Sequence, residues 1–388
     1  MTTATLGTSH RFRPGFWTAV FGFLFLAFCA VAVIRFSKGL GAVTHLSDQF
    51  PWGLWIGFDL LCGVGLAAGA FTLTAIVHLF NLKRFEPIVR PTILTGFLGY
   101  AFVIVALLLD LGQPWRIWHA IVYWNTHSVM FEVAWCVMLY TTVLAVEFSP
   151  VVFEYFGFHA PARFIHRLIT PLVILGVVLS TLHQSSLGSL YLIVPTKLHP
   201  LWYSPMLPLH FYISAIGAGI GMVILESYLS KRAFGRNLEM DLLEPLARGM
   251  VVALGIYGLM RLQAIHRSHA FGSIWNLSYE GQMFIIEFML GVILPVILMS
   301  FQRLRKNPDW LVGSAFLAVL GFVTNRLNVS ITGMEAASGV RYIPSGMEIL
   351  VSVGLVATGM AVFAFAVRTF PIFPLGHHEV SPGTLGGA

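Results

Sequence analysis

Asp59, Glu132, Glu226 and Glu287 each fall in a run that otherwise reads as lipid-soluble helix. A carboxylate in hydrocarbon is costly unless it is paired, protonated or wetted. Keeping four of them points to a chain that moves protons, ions or a protonatable ligand through or into a membrane. Asp59 and Glu132 fall at similar depth on neighbouring helices. They could pair with Arg326 or Arg261, or take up and release protons, and their intramembrane position favours the second. Glu226 is close to Lys231 and Arg232, so a snorkelling ion pair and a proton-carrying role are equally open. Glu287 leans towards function. Tyr100 can simply pack, or its hydroxyl can pass a proton. His183 opens the string His183-Gln184-Ser185-Ser186-Leu187-Gly188-Ser189, which gathers imidazole, amide and hydroxyls at the outer end of a helix. A lone histidine is more often a satisfied polar group, but this density of polar side chains favours a head-group pocket.

Other chemistries find no support. A b-type haem needs axial histidines paired within the spans. His78 and His183 stand at opposite membrane ends and His210 at an outer helix start, so no haem is expected. Cys29, Cys62 and Cys136 all lie in apolar runs without a CxxC partner, which excludes an iron–sulfur cluster in this chain alone and argues against a structural disulfide. There is no P-loop, no dinucleotide fingerprint, no metal-ligand cluster and no nucleophile triad. The net charge of +6 comes from basic residues scattered over loop ends, without the basic-aromatic stripe that would mark a nucleic-acid binder.

The elements that must position these groups are membrane helices. Hydrophobic residues make up 57% of the chain and charged residues 10%, against about a quarter charged in a soluble domain. Apolar runs predict helices over 15–34, 52–80, 91–111, 128–148, 168–187, 208–229, 246–265, 282–302, 310–327 and 346–367. The polar stretch 1–14 resembles a signal-peptide n-region, but the apolar run after it is longer than an ordinary h-region and reads as an uncleaved helix. Alternate loops divide the 23 Lys and Arg unevenly: fifteen, among them Arg11, Arg13, Lys83, Arg236 and Arg305, against eight, among them Arg35, Lys38, Arg261 and Arg326. The positive-inside rule then places both termini in the cytoplasm. Trp52, Trp115, Trp118, Trp124 and Trp202 fall on the outer side, as an interfacial aromatic belt would. Asp59, Glu132, Glu287, Glu348, Asp110 and His183 fall towards the outer face, Tyr100 near the middle, and Glu226 and Glu147 towards the cytoplasm. Gly53, Gly57, Gly65, Gly69, Gly217 and Gly221 follow small-xxx-small spacing, which predicts close helix packing.

Four strings carry a likeness: Phe50-Pro51-Trp52-Gly53-Leu54-Trp55-Ile56-Gly57-Phe58-Asp59-Leu60-Leu61, Asn125-Thr126-His127-Ser128-Val129-Met130-Phe131-Glu132, the His183–Ser189 string, and Lys197-Leu198-His199-Pro200-Leu201-Trp202. In combination they are specific. The chain resembles the NrfD/PsrC family, and within it the HybB branch, the integral membrane subunits of Hyb-type NiFe uptake hydrogenases. The likeness extends from about residue 35 to 372. The resemblance implies a ten-helix, haem-free subunit with two four-helix bundles. It implies a menaquinone or ubiquinone site on the periplasmic side, beside a ferredoxin-like iron–sulfur subunit that joins the large and small subunits of a NiFe hydrogenase. Tyr100, Glu132, His183 and Glu226 match the family's proton-transfer candidates. Trp55 and Asp59, with His183 and Gln184, are candidates for the quinone pocket.

The expectation is therefore an all-α polytopic protein of the bacterial cytoplasmic (inner) membrane. It forms a single integral domain over 1–388, with one four-helix bundle at 52–187 carrying the quinone site and another at 208–327. Its function would be that of a quinone-reactive anchor. Electrons would come from a partner's iron–sulfur cluster, since nothing in this chain carries them, so activity belongs to a complex. Rival readings are a secondary transporter, which also keeps buried acids, the membrane subunit of another NrfD/PsrC-type oxidoreductase, and a structural anchor whose acids tolerate neutral substitution.

Overall fold

The computed structural model describes residues 15–235 and 238–373. Arg11, Arg13, Arg236 and the polar stretch 1–14, which entered the orientation argument, lie outside the described residues. Among the described residues the chain is helical with no strand. Ten helices there are long and apolar enough to cross a membrane: α1 (Phe16–Lys38), α2 (Trp55–His78), α3 (Lys83–Asp110), α4 (Val129–Tyr155), α5 (Ile169–Ile193), α6 (Leu207–Phe234), α7 (Met240–Arg267), α8 (Tyr279–Ser300), α9 (Pro308–Ser338) and α10 (Gly346–Thr369). This is a multi-pass membrane protein. Large apolar side chains such as Phe23, Leu259 and Phe365 face outward, as lipid-facing residues do.

The predicted spans match these helices except in length. The largest difference is α9, which continues to Ser338 rather than ending near 327. Asn328, Ser330 and Thr332 interrupt the apolar run, but each is buried, and the helix passes through them as a π-helical turn, Asn328–Thr332. Two further π-helical turns occur at Trp55–Leu60 in α2 and Met289–Ile293 in α8. The turns in α9 and α2 contain buried polar residues, and the one in α8 begins two residues after the buried Glu287; π turns often occur at functional positions.

Consecutive spans alternate in direction. The face on which α1 begins is the near face, the other the far face. Contacts between chain-distant ends agree with this. Arg90 at the start of α3 meets Glu154 at the end of α4 and the carbonyl of Pro371 beyond α10, all on the near face. On the far face, Ser345 Oγ donates to Val43 O at 2.5 Å. The helix starts carry local signals. Ser345 and Glu348 form a reciprocal capping box on α10, while Ser128, Ser278 and Asn307 cap α4, α8 and α9.

Lipid tails are as apolar as leucine, so close packing between small residues, not hydrophobic burial, drives helix association in a membrane. The expected glycine contacts are present, with one unforeseen partner. A methyl group on Gly219 would fall 2.4 Å from Gly69 N, so α2 and α6 touch backbone to backbone there. Gly57 is packed against Ser330 of α9, where a methyl group would lie 2.2 Å from Oγ.

Of the tryptophans expected in an aromatic belt, Trp115, Trp118 and Trp124 are exposed. Trp202 departs from it: the side chain is completely buried and donates a hydrogen bond inside the protein.

Candidate functional site

A groove of about 670 Å³ opens between α1, α2, α3, α6 and α10. Its lining is apolar except for a few groups, chiefly Asp59 towards the far face, Thr95 and Glu226 deeper along it, and Arg368 at the near-face end. On α10 the lining extends from Leu355 to Arg368, a rise of about 20 Å at 1.5 Å per residue. An elongated apolar channel with one or two polar groups suits a lipid-soluble molecule with a polar head.

Asp59 sits in the π turn of α2, and its Oδ2 accepts from Ser352 Oγ of α10 at 2.6 Å. Asp110 lies within electrostatic reach of Asp59 and, in turn, of Arg35. Arg35 is pinned by the carbonyls of Leu109 and Leu111. Neither Arg261 nor Arg326 pairs with Asp59 or Glu132: Arg261 meets Glu287, and Arg326 meets Asn325, Ser214 and the carbonyl of Phe211. Trp55 lines no part of the groove. Its indole is buried and donates to Glu348 O at 3.2 Å, fixing the start of α2 against α10. Glu226 is buried with the Thr95 hydroxyl facing it, and its Oε2 has no hydrogen-bond partner. It makes no ion pair with Lys231 or Arg232, which are exposed.

The remaining candidates gather elsewhere, on the seam between α4 and α5 and its contact with α3. Tyr100 and His183 are both fully buried, with ring centres 5.6 Å apart, and Tyr100 packs edge-on against Tyr140 at 4.7 Å. Neither nitrogen of His183 has a hydrogen-bond partner, and neither has the Tyr100 hydroxyl. Gln184 Nε2 donates to Val64 O of α2 at 3.1 Å. Ser186 Oγ donates to Glu132 Oε1 at 2.6 Å. Glu132 itself is exposed, which corrects its reading as a buried acid. It stands in the first turn of α4, where the helix dipole favours a carboxylate. The polar string of α5 therefore faces the protein interior and the α4 seam, not the groove. The residues expected to form the quinone pocket are divided between two places: Asp59 reaches the groove from one face of α2, and Gln184 touches the other face.

Two groupings of polar residues were not read from the sequence, although Glu287 and Glu147 were each noted there. Around Glu287, the carboxylate accepts from Trp202 Nε1 at 2.8 Å, Asn325 Nδ2 at 2.7 Å, Asn328 Nδ2 at 2.8 Å and Arg261 Nη2 at 3.4 Å. The signal was the polar string Thr324-Asn325-Arg326-Leu327-Asn328, whose i, i+3 asparagines share one helix face. The second group, Tyr140, Ser180 and Glu147, is buried along the α4–α5 seam. Glu132, Cys136, Tyr140 and Glu147 share one face of α4, a helical spacing readable from sequence.

A haem does not fit these residues. The groove is lined by no histidine, and His183 is sealed against Tyr100. Among the described residues no three or more His, Cys, Asp or Glu are grouped to hold a metal ion, and the three cysteines are free.

Residues 42–336 match the family described as polysulphide reductase, NrfD. A protein of Nitratidesulfovibrio vulgaris is 41% identical over 90% of this chain and 92% of its own. The probable Ni/Fe-hydrogenase 2 b-type cytochrome subunit of Escherichia coli K12 is 34% identical over 92% of each chain. The integral membrane subunit of menaquinone reductase from Nitratidesulfovibrio vulgaris is 30% identical over 92% of this chain and 91% of its own.

Proposed function

The chain belongs to the polysulphide reductase NrfD family, and on that premise we propose that it is the quinone-reactive membrane subunit of an oxidoreductase complex, with a NiFe hydrogenase as the partner enzyme. The observation that carries the quinone reading is the apolar groove with Asp59 near its far-face end. The isoprenoid tail lies along the groove, and the head group meets Asp59, whose carboxylate is held by Ser352. Trp55 and Gln184 position this end from behind, by fixing α2 to α10 and to α5. The relative named as a menaquinone reductase subunit supports a menaquinone, and the one named as a hydrogenase subunit supports the hydrogenase partner.

Reducing one quinone takes two electrons and two protons. The electrons come from the iron–sulfur cluster of a ferredoxin-like partner docked on the far face. Glu132, Ser186, His183 and Tyr100 hold protons on the α4–α5 side, and Glu226 holds one beside the groove. The far face is the periplasmic face of a bacterial inner membrane in this reading, with both termini cytoplasmic. Three basic residues counted on the outer side, Arg35, Arg261 and Arg326, are buried within helices rather than displayed in loops. Removing them from the loop count strengthens the positive-inside bias. We also divide the helices into two four-helix bundles, 52–187 and 208–327. In the first, Gly96 packs on Ala70 and Gly176 on Tyr140; in the second, Gly217 packs on Leu254 and Gly291 on Gly321.

The test is purification of the complex on a tag carried by this chain, identification of its partners, and assay of hydrogen uptake with quinone and with a soluble dye. Asp59→Asn is expected to lower the quinone-linked rate and leave the dye-linked rate unchanged. Equal loss of both rates, or solute transport by the chain alone in liposomes, overturns the reading.

A further inference from the structure

We propose that the α4–α5 seam is a transmembrane proton route whose inner end is Glu147, with Tyr140 and Ser180 as its relay groups. The inference rests on the quinone reading above and assigns the near-face end of the route to Glu147, which that reading does not use.

The seam carries polar groups in register on both helices. Glu132 meets Ser186 at the far-face end. One layer deeper, His183 packs against Tyr100. Deeper again, Tyr100 and Tyr140 meet ring to ring, and the Ser180 hydroxyl faces both phenols. Next comes Glu147, close enough to act electrostatically on Tyr140. A methyl group added to Gly176 of α5 would touch both Tyr140, at 3.6 Å, and Glu147 Oε1, at 3.7 Å. Glu132 to Glu147 is a rise of about 22 Å at 1.5 Å per residue, most of a hydrocarbon core of about 30 Å.

Polar residues between membrane helices often serve only as packing glue, and hydroxyls then bond to their own helix. Thr141, Thr142, Thr181 and Ser185 do so, each donating to the carbonyl four residues back. The seam differs. The oxygens of Tyr100 and Ser180 and both nitrogens of His183 are buried and closed by no hydrogen bond of ordinary geometry. Groups of this kind are partners for ordered water. Each hop along them breaks one O–H or N–H bond and forms the next, so a relay group gives up one proton as it accepts another and ends neutral, and rotation then resets it for the next hop. The exposed Glu132 meets water at one end, and Glu147 receives protons from the near face at the other. Tyr100 joins the seam to the groove, because its neighbours Gly99 and Val103 on α3 line the groove wall. Glu226 lies in the groove and not in this seam.

The test uses the intact complex in proteoliposomes, with hydrogen, a short-chain naphthoquinone and a trapped pH dye. Glu147→Gln is expected to slow quinone-linked turnover about tenfold or more, with a larger H₂O/D₂O rate ratio and a smaller internal pH change. Dye-linked activity and partner content stay unchanged. Tyr140→Phe and Ser180→Ala give intermediate losses, and Glu147→Asp recovers most of the rate. Wild-type turnover, isotope ratio and pH change in Glu147→Gln overturn the proposal, even where Asp59→Asn behaves as the quinone reading expects. Should Glu147→Gln fail to assemble, the same unchanged values in Tyr140→Phe and Ser180→Ala overturn it. A wild-type complex with no quinone-linked activity removes the quinone reading and this route with it.

Discussion

Trp202 Nε1 donates to Glu287 Oε2 at 2.8 Å, joining the connection between α5 and α6 to the middle of α8. Both residues are buried, and the glutamate is ringed by donors from α7, α8's neighbour α9, and this loop. Arg326 stands beside the same group, sandwiched by the rings of Phe211 and Phe322 at 3.6 and 4.3 Å. The network joins α7, α8, α9 and the α5–α6 connection at one carboxylate.

Glu287→Leu is therefore expected to destabilise the protein by about 3–5 kcal/mol, since it strands a buried guanidinium and three neutral donors. Thermal unfolding in detergent checks it. The double variant Glu287→Leu with Arg261→Met should recover part of the loss; a double variant no better than the single one shows that the amide and indole donors dominate.

Gly69→Ala and Gly219→Ala each push a methyl group into backbone, so losses of roughly 1–3 kcal/mol are expected. Gly313 meets nothing within 4 Å, and Gly313→Ala serves as the control. Melting temperatures of the three variants in one detergent decide the matter.

The purified chain is expected to show no stoichiometric b-type band in a reduced-minus-oxidised spectrum. The basis is the absence of histidine from the groove lining and the enclosure of His183 by Tyr100. A band at one haem per chain would refute this and vindicate the word cytochrome in the name of its relative.

Glu132→Gln and Glu226→Gln retain size and remove a titratable proton. They are expected to differ, because Glu132 is exposed at the far face whereas Glu226 is buried in the groove. The first should slow quinone turnover while tight binding of quinone persists; the second should alter quinone affinity as well. Steady-state titration with a short-chain quinone separates the two patterns.

The helices were legible because a span needs a long apolar run, and each run stands out against polar loops. Asp59 and Glu226 were legible as candidates for the same reason. What could not be read was facing. Glu132 and Asp59 have similar predicted depth, yet one ends exposed and the other in a groove, because depth fixes height along a helix and not the direction of the side chain. Trp202 looked like a belt residue because a tryptophan near a helix end satisfies either water or a buried acceptor equally well. Its acceptor, Glu287, lies 85 residues away in sequence, beyond the reach of any local pattern. The π turns compound the problem: one additional residue per turn rotates everything after it, so an ideal helical wheel misplaces the later positions.

α1 is held unevenly along its length. Arg35 clamps its far-face end to the carbonyls of Leu109 and Leu111, and Phe28 and the Leu24 carbonyl lie against Gly354 of α10. At the opposite end Phe16 and Trp17 stand exposed, although Trp17 and Phe21 form part of the groove wall. The part of the groove wall that α1 supplies thus comes from the least buried stretch of that helix, where the fewest contacts oppose displacement. Shortening or stiffening the near-face half of α1 is expected to alter how long a guest stays in the groove, leaving the chemistry at Asp59 as it was.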